Sequence, residues 1–465
     1  MPHFDVVIIG AGPAGERAAI QAARHHRTAA IVERAHVIGG TRINWGTIPS
    51  KTLRESAMYV HGLKKSSLYG IRIEFPAEIT IADFMTRERA VVQQELELAN
   101  RSLDRYQIQV FRGAGRFVDP NTVAVHGADG RTRAQLTGDV IVIATGTRPA
   151  RPADVPFDGR TVVDSDTILA VPRMPRSMIV LGAGVIGVEY ASIFAALGID
   201  VTLVDTRDQL LPYLDREIAQ ILETELRRLG VVRIPGDHYE TIARVEGDPP
   251  SIRMTTRSGN ELEADLLLYS VGRQGNTDDL ALEAVGLAPN ERGLLDVNEF
   301  YQTAVPHIYA VGDVIGYPAL ASTSMEQGRQ AIRHAFDIPG LKSRTETLPF
   351  AIYAIPEVGY VGETEEQLRE AKVPYVVGRG RYDLNARGQI TGLTGGLMKL
   401  VFEKETMRLR GAHIDGHTAS ELVHIVQAFL SKQATARDIA ETLFNYPTFS
   451  DMYRHAGLEA LGKKR

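Results

Sequence analysis

Two stretches of the chain repeat one pattern of hydrophobic and polar positions. Each contains a short apolar run followed by closely spaced glycines, and the two runs are residues 6–15 and 178–187. An Ala-containing stretch suited to a helix comes next, and a second apolar run then ends in a carboxylate. Short apolar runs before glycines are typical of buried parallel strands. The chain is therefore predicted to contain the same β-α-β unit twice.

The two copies also agree in their spacing and in the way they end. The same number of residues separates the first glycine from the carboxylate in both, Gly10 to Glu33 and Gly182 to Asp205. This spacing is close to the roughly 20 residues of a dinucleotide-binding unit. Residues 139–146 match residues 265–272 and are predicted to be the last strand and exit turn of each copy. Two Rossmann-like domains follow from this repeat.

The pattern changes at about residue 347, where short β-rich runs precede helices. Strands grouped before helices are typical of an α+β domain. Segments near residues 148–159 and 274–277 are predicted to carry the chain between the two Rossmann-like domains, and residues 54–106 to form a pair of exposed helices. The predicted domains of this α/β protein are residues 1–148 with 274–346, residues 149–273, and residues 347–465.

Composition and charge restrict the class of partner. The chain has 465 residues, of which 44% are apolar and 23% are charged, and its formal net charge is −5. A globular protein of about three domains is expected, with no electrostatic reason to bind nucleic acid or an anionic membrane. Neither a signal segment nor an apolar stretch of about 18 residues is found. We therefore expect a cytoplasmic protein that acts on small molecules.

The sequence contains no cysteine. This excludes a thiolate nucleophile, a redox disulfide and a cysteine-ligated metal centre. His413, His417 and His424 lie near one another in the sequence, but no carboxylate accompanies them at a ligand spacing. No metal site is predicted.

The glycines of the first copy have the spacing of a dinucleotide-binding turn. Gly10 allows a tight turn, Gly12 lets the pyrophosphate approach the backbone, and Gly15 lets helix and strand pack closely. The pyrophosphate is expected at the N-terminus of the following helix, where the helix dipole favours negative charge. Glu33 is expected to accept hydrogen bonds from ribose hydroxyls.

The second copy, with Gly182, Gly184 and Gly187, is predicted to bind a nucleotide in the same way. Its carboxylate, Asp205, favours NAD because it would repel a 2′-phosphate, whereas Arg207, two residues on, could pair with that phosphate. Arg207 could equally be a solvated loop residue. Both NAD and NADP stay open at this point.

Residues 39–51, 309–313 and 411–421 resemble motifs of the FAD-dependent pyridine nucleotide-disulfide oxidoreductases, and the resemblance covers nearly the whole chain. It implies that the first domain holds FAD, that the second holds a nicotinamide nucleotide, and that the third forms a homodimer. Asp313 would bind the ribityl chain. Together with the glycine turns, the resemblance assigns to nucleotide binding the residues Arg34, Gly40, Thr41, Thr47, Lys51, Gly146, Asp313, Arg207 and Gly272.

The chain departs from this family at its disulfide chemistry. Arg42 and Thr47 stand at the positions of the two redox cysteines. Tyr446 and Asp451 stand at the positions of the active-site His and Glu. Electrons that reach the flavin cannot leave through sulfur, so disulfide reductase activity is excluded. Arg42 either stabilises an anionic flavin or fills the space left by the lost disulfide.

Within this family, residues 45–51, 312–318 and 444–448 resemble the soluble, Si-specific NAD(P)+ transhydrogenases. The resemblance implies hydride transfer from NADPH to FAD and from FAD to NAD+. It also implies that Lys51 and Glu189 form an ion pair beside flavin N5, with Lys51 stabilising negative charge on the flavin. One nicotinamide site for both nucleotides implies ping-pong kinetics.

Other interpretations stay open. Tyr446 either covers the flavin across the dimer or packs at the interface. The protein could instead be an NAD(P)H-dependent quinone or dye reductase on the same scaffold, or a flavin-bound nucleotide sensor. Assembly beyond the dimer is also open.

Overall fold

The computed structural model describes residues 1–73, 79–340 and 347–464. The chain separates into two compact units. The first unit contains Met1–Thr52, Met85–Pro152 and Val271–Ser343, and the second contains Leu53–Phe84, Ala153–Ser270 and Arg344–Arg465. The finer partition into three domains, with boundaries after residues 148, 273 and 346, stays a prediction.

The strands and helices of the described residues are numbered in chain order. The strands are β1 (His3–Ile9), β2 (Ala29–Glu33), β3 (Gln109–Arg112), β4 (Ala114–Asp119), β5 (Thr122–His126), β6 (Thr132–Ile143), β7 (Thr147–Pro149), β8 (Val162–Val163), β9 (Ser177–Leu181), β10 (Asp200–Val204), β11 (Val232–Ile234), β12 (Tyr239–Val245), β13 (Ser251–Thr256), β14 (Glu261–Ala264), β15 (Leu266–Tyr269), β16 (Arg273–Gly275), β17 (Ile308–Ala310), β18 (Phe350–Ile352), β19 (Val358–Gly362), β20 (Tyr375–Arg381), β21 (Gly396–Glu403) and β22 (Leu409–Gly416). The α-helices are α1 (Pro13–Arg24), α2 (Gly40–Asn44), α3 (Thr47–Lys64), α4 (Ile81–Phe84), α5 (Thr86–Arg105), α6 (Val185–Leu197), α7 (Arg216–Arg228), α8 (Ala321–Ala335), α9 (Glu365–Glu370), α10 (Ala386–Thr391), α11 (Ala419–Ser431), α12 (Ala436–Glu441) and α13 (Asp451–Lys463).

The sheet of the first unit has a parallel centre. Its order is β3-β2-β1-β6, with β17 also paired to β6, and β5 and β4 continue it through antiparallel pairs. β1 and β2 are almost wholly buried, as expected of parallel strands covered by helices on both faces. α1 and α8 pack so closely that a Cβ added at Gly328 would lie 2.2 Å from the carbonyl oxygen of Ala14.

The second unit repeats this architecture. Its parallel sheet has the order β11-β10-β9-β15-β8, and α6 connects β9 to β10 as α1 connects β1 to β2. An antiparallel excursion, β12-β13-β14, precedes the last strand β15. The predicted pair of Rossmann-like folds is confirmed.

The C-terminal part of the second unit is an antiparallel sheet with helices. The strand order is β18-β19-β22-β21-β20, and α11 and α13 pack on its buried apolar side chains. The α+β arrangement predicted after about residue 347 is confirmed. The first β-rich run of this region forms two strands, β18 and β19, which pair antiparallel.

A buried lysine joins this sheet to α7 within the second unit. Lys399 on β21 places its Nζ 2.8 Å from Asp215 and 3.0 Å from Glu217, and it also contacts Glu365. Burial by itself would lower the pKa of Lys399, but the hydrogen bonds to these carboxylates outweigh it and the net pKa is raised. The lysine therefore stays charged inside the protein.

Two connecting segments lie side by side in the first unit. β7 and β16 pair antiparallel, with Thr147 opposite Gly275. The exposed helices predicted within residues 54–106 are the long helices α3 and α5, with α4 between them. Among the described residues, no helix has the length and apolar character needed to cross a membrane.

Candidate functional site

The first glycine turn connects β1 to α1 and has no room for side chains. Gly10 has a φ of +111°, and a Cβ there would lie 2.3 Å from the carbonyl oxygen of Ala144. A Cβ on Gly15 would lie 2.0 Å from the carbonyl oxygen of Gly10. Gly12 is the N-cap residue of α1, and Pro13 follows it at the first helical position. The helix N-terminus is therefore left open to an anion.

Glu33 ends β2 and reaches back over this turn. The amide of Ala11 donates to its Oε2 at 2.7 Å, and the amide of Ala35 donates to its Oε1 at 2.8 Å. The carboxylate is buried, and backbone amides fix both of its oxygens. Each oxygen keeps a further lone pair that a ribose hydroxyl could use. Arg34, the next residue, is exposed.

A second glycine pair approaches the same turn. Gly39 and Gly40 have φ values of +95° and +53°, and a Cβ on Gly40 would lie 2.8 Å from the Cα of Gly12. Nearby, after β6, the buried hydroxyl oxygen of Thr145 has no hydrogen-bond partner among the described residues. A crowded glycine cradle with an unsatisfied donor fits a dinucleotide, whose phosphate and ribose oxygens accept hydrogen bonds.

Asp313 lies at the start of a 3-10 helix, Gly312–Ile315, that follows β17. Ser324 Oγ donates to it at 3.4 Å, and Thr147 Oγ1 approaches it at 3.5 Å. The amide of Gly312 donates to Gln327 Oε1 at 2.7 Å. Asp313 is half-buried, so one side of its carboxylate is accessible to a ligand hydroxyl.

Several residues of the family motif cluster at the start of α3. Thr41 lies in α2 and is half-buried, Thr47 begins α3 and is exposed, and Lys51 lies one turn further on. The ammonium of Lys51 is 3.3 Å from Ser50 Oγ.

The two predicted exit-turn glycines both have positive φ angles. Gly146 has a φ of +66° and accepts from the amide of Asn276 at 3.0 Å. Gly272 has a φ of +84° and also lies in the first unit.

Arg42 forms ion pairs within the first unit. Its guanidinium lies 3.3 Å from Glu16 on α1 and 3.4 Å from Glu95 on α5. The Arg42 side chain is only 14% exposed and that of Glu16 only 5%. The residue at the first redox position therefore joins α2 to two other helices. These partners were not identified from the sequence.

The glycine turn of the second unit has the same geometry as the first. Gly182 has a φ of +101°, Gly184 is the N-cap residue of α6, and a Cβ on Gly187 would lie 1.9 Å from the carbonyl oxygen of Gly182. Ser270 Oγ donates to the carbonyl oxygens of Leu181 and Gly182, each at 2.9 Å. This serine was not identified from the sequence.

Asp205 differs from Glu33 in its partners. The amide of Ala183 donates to Asp205 Oδ2, which repeats the bond between Ala11 and Glu33. In addition, Arg207 donates its Nε to Oδ1 at 2.9 Å and its Nη2 to Oδ2 at 2.7 Å. Burial by itself would raise the pKa of Asp205, but the hydrogen bonds from Arg207 and Ala183 outweigh it and lower the net pKa. The Arg207 side chain remains 43% exposed, so solvent reaches it.

Glu189 lies one turn beyond the glycines on α6 and is buried. Its Oε1 accepts from the amide of Tyr353 at 2.9 Å. Tyr353 follows β18 and was not identified from the sequence, since it lies 164 residues away. Burial, together with the negative charges of Glu357, Glu421 and Glu189, raises the pKa of the Tyr353 hydroxyl.

The remaining candidates lie elsewhere in the second unit. Tyr446 precedes α13, and its side chain is 69% exposed. His413 is buried and its Nε2 lies 2.9 Å from the carbonyl oxygen of Glu363, whereas His424 contacts Gln427. The carboxylates of Asp215, Glu217 and Glu365 approach one another within 4.8 Å and surround the ammonium of Lys399 described above. That cluster already contains a cation.

Each unit has a helix N-terminus at its glycine turn and a carboxylate at the end of the neighbouring strand. Each turn can hold the pyrophosphate and a ribose of one dinucleotide. No thiol is present in the sequence to transfer electrons further. Two dinucleotides of the kind that exchange hydrides could therefore bind to this chain.

Comparison with known proteins identifies the family. The model of the pyridine nucleotide-disulphide oxidoreductases matches residues 4–328, and the model of their dimerisation domain matches residues 348–456. A soluble pyridine nucleotide transhydrogenase from Mycobacterium bovis (strain BCG / Pasteur 1173P2) is 46% identical over 100% of this chain and 98% of its own length. One from Chromohalobacter salexigens is 43% identical over 99% of both chains.

A solved structure shows the same fold. The HOCl-induced flavoprotein disulfide reductase RclA from Escherichia coli superposes with a TM-score of 0.87 at 29% identity, covering 98% of this chain and 99% of its own. The resemblance to soluble transhydrogenases found in the sequence is confirmed by the full-length relatives. Since the family model covers most of its length, the chain belongs to the pyridine nucleotide-disulphide oxidoreductase family.

Proposed function

We propose that this chain is an FAD-dependent NAD(P)+ transhydrogenase, which moves a hydride from NADPH to NAD+. The observation that carries the proposal is the presence of two matching dinucleotide-binding turns in a chain without cysteine. FAD, when bound, accepts a hydride from one nicotinamide nucleotide and gives it to another. The names of the full-length relatives support this reaction.

The first unit would hold FAD. Gly10, Gly12 and Gly15 leave room for its pyrophosphate, and Glu33 accepts from a ribose hydroxyl. Asp313 faces the ribityl chain in this assignment. The buried hydroxyl of Thr145, which has no partner among the described residues, is available to a further oxygen of the cofactor.

Two residues are proposed to serve the transfer itself. Lys51 places a positive charge beside the flavin, and Glu189 holds the lysine ammonium in place. No general base is needed, because a hydride moves directly between stacked rings. The protein's contribution is to position the rings and to supply charge.

The Asp205–Arg207 pair is proposed to let one site accept both nicotinamide nucleotides. Asp205 accepts from the ribose hydroxyls of NAD(H), as Glu33 does in the first unit. With NADP(H), the exposed guanidinium of Arg207 leaves Asp205 and pairs with the 2′-phosphate. A single site used in turn by two nucleotides gives ping-pong kinetics.

The assembly and location follow from the same assignment. The dimerisation-domain match over residues 348–456 supports self-association, and we propose a homodimer. Tyr446 is exposed in one chain and is available to cover the flavin of a second copy. We expect the enzyme to act in the cytoplasm on NAD(H) and NADP(H).

Steady-state kinetics test the proposal. Initial rates of thio-NAD+ reduction by NADPH, measured at several fixed concentrations of each, are expected to give parallel double-reciprocal lines. Intersecting lines would contradict a single alternating site. No turnover with thio-NAD+, but rapid turnover with a quinone or dye, would instead identify a quinone or dye reductase.

A further inference from the structure

A three-residue segment of the second unit, residues 353–355, is hydrogen-bonded to the helix that carries Glu189. The amide of Tyr353 donates to Glu189 Oε1 at 2.9 Å. The amide of Ile355 donates to Ser192 Oγ at 3.1 Å, and that hydroxyl donates to the carbonyl oxygen of Glu189 at 2.8 Å. Ser192 is fully buried on α6, one turn beyond Glu189. The segment therefore holds both the carboxylate and the backbone of Glu189.

The same segment is bonded to α3, the helix that carries Lys51. Arg54 Nε donates to the carbonyl oxygen of Ala354 at 2.9 Å, and the Arg54 guanidinium lies 3.0 Å from Glu357 Oε1. The side chain of Arg54 is only 3% exposed. Glu357 is held in turn, because its Oε2 accepts from the amide of Ser420 at 3.0 Å. A buried ion pair with its remaining oxygen satisfied is a rigid anchor.

The spacing on each helix relates these anchors to the two proposed transfer residues. Ser192 follows Glu189 by three residues, and Arg54 follows Lys51 by three residues. Residues three apart lie on the same face of a helix. The hydrogen bonds of residues 353–355 thus fix the face of α6 that carries Glu189 and the face of α3 that carries Lys51.

We propose that residues 353–355 act as a clamp and that Ser192 and Arg54 are positioning residues for hydride transfer. The inference rests on the proposed function, because it assigns the clamp to the residues that serve the flavin. Hydride transfer needs the rings and charges placed within a fraction of an ångström. Loosening the clamp therefore slows the transfer while the adenosine end of the nucleotide, held at Asp205, still binds.

The test is anaerobic stopped-flow reduction of the FAD-loaded protein by NADPH, with Ser192→Ala and Glu189→Gln alone and combined. Thr224→Ala is the matched control, because its hydroxyl donates to the carbonyl oxygen of Gln220, within its own helix α7. Arg54→Met and Arg54→Lys form a second series, with the exposed Arg437→Met as the control for removing an arginine. FAD content, melting temperature and the Kd for NADPH are measured for each variant.

Ser192→Ala is expected to lower the limiting rate of flavin reduction about tenfold, with the Kd for NADPH within about twofold of the wild type. The long-wavelength charge-transfer absorbance between nicotinamide and flavin weakens with it. The double variant is expected to lie within about twofold of Glu189→Gln alone, because both act through one carboxylate. Arg54→Met slows reduction in the same way, and Arg54→Lys recovers part of the loss.

Two results would overturn the clamp. One is normal reduction by Ser192→Ala and Arg54→Met with a lower melting temperature, which would show that the bonds only stabilise the fold. The other is a double variant whose loss of reduction rate equals the product of the Ser192→Ala and Glu189→Gln losses, which would show that the two residues act independently. Wild-type protein that NADPH reduces but NAD+ does not reoxidise would overturn the proposed transhydrogenation, while the clamp is still judged on the reduction step.

Discussion

The two glycine turns of this protein make matching backbone hydrogen bonds, but the carboxylates beside them have different partners. In both, the amide after the first glycine donates to the carboxylate at the end of the neighbouring strand, Ala11 to Glu33 and Ala183 to Asp205. Glu33 also accepts from a second backbone amide, that of Ala35, whereas Asp205 is also bound by an exposed arginine side chain.

This difference fits two kinds of ligand. Backbone amides cannot move away, so the Glu33 site presents one fixed arrangement, suited to a cofactor that stays bound. The Arg207 side chain is 43% exposed and can turn toward solvent, so its bonds to Asp205 can open without any movement of the backbone. The Asp205 site is therefore suited to ligands that alternate and differ by one phosphate.

The largest expected effects come from filling the two turns. Gly15→Ala and Gly187→Ala each place a Cβ about 2 Å from the carbonyl oxygen of the first glycine of the turn, Gly10 or Gly182. We expect Gly15→Ala to be purified without FAD. Gly187→Ala should retain FAD but lose reduction by both NADPH and NADH. The FAD-to-protein absorbance ratio and stopped-flow reduction measure the two effects.

Gly62→Ala is the control for these substitutions, because a Cβ there has no heavy atom within 4 Å. Alanine in a helix is favoured over glycine by about 1 kcal/mol, so this variant should keep FAD and melt no lower than the wild type. If Gly15→Ala kept FAD and Gly187→Ala lost it, the assignment of the two nucleotides would be reversed.

Arg42→Ala tests the part of the first unit that replaces the redox disulfide. It leaves the buried Glu16 with only the longer contact to Arg17, at 3.7 Å, and breaking a buried pair typically destabilises a protein by about 3 kcal/mol. A lower melting temperature is expected in thermal unfolding. Arg101→Ala removes an exposed pair with Glu97 and should change stability by under about 0.5 kcal/mol. Equal melting temperatures for both variants would show that the ion pairs of Arg42 do not stabilise the fold.

Asp415 differs from both Glu33 and Asp205, because its carboxyl group lacks hydrogen-bond partners among the described residues. It is fully buried on β22, and neither oxygen has a hydrogen-bond partner among the described residues. Burial, with a smaller contribution from the charge of Glu225, raises the pKa of Asp415 well above its ordinary value. Its stabilising contribution is therefore complete below the unfolded pKa of about 3.9 and is lost as the pH rises through the folded pKa.

Asp415→Asn removes this titration and keeps the shape of the side chain. We expect the variant to be more stable than the wild type by about 2 kcal/mol at pH 9, with a difference that shrinks toward pH 4. Melting temperatures across this range measure it. A constant difference at every pH would contradict a buried titrating carboxyl.

Arg207→Ala has the smallest expected effect and bears most directly on the comparison. Loss of one charge-assisted contact to a 2′-phosphate should raise the Kd for NADPH about tenfold and leave that for NADH within about twofold. Titrations of flavin reduction with each nucleotide measure this. An equal increase in the Kd for both nucleotides would show that Arg207 supports the loop and does not recognise the 2′-phosphate.

The sequence alone predicts those features of the structure that depend on neighbouring residues in the chain. Positive φ angles at Gly10 and Gly182 and the carboxylates at Glu33 and Asp205 follow from short-range turn chemistry, which repeats in the chain. The two Rossmann-like folds could therefore be predicted from spacing and apolar runs. The α+β region could be predicted from the β-rich runs that precede helices after about residue 347, and the family motifs added candidate residues of the flavin site.

Long-range partners could not be predicted. Arg54 bonds to a carbonyl 300 residues away, and Glu189 to an amide 164 residues away. Such pairs depend on how whole elements pack, which neither periodicity nor local propensity records. The partners of Arg42 were missed for the same reason, and Asp415 stands in a strand whose sequence gives no sign that its carboxyl lacks a partner.

The central claim is that a hydride passes between two nicotinamide nucleotides through FAD, and sequential-mixing stopped flow tests it most directly. The protein is first mixed with one equivalent of NADPH without oxygen, and then with NAD+. We expect rapid loss of the yellow flavin absorbance, and then its return on mixing with NAD+ at a rate at least equal to turnover. Loss of the absorbance without its return until a quinone is added would show that NAD+ does not accept the hydride.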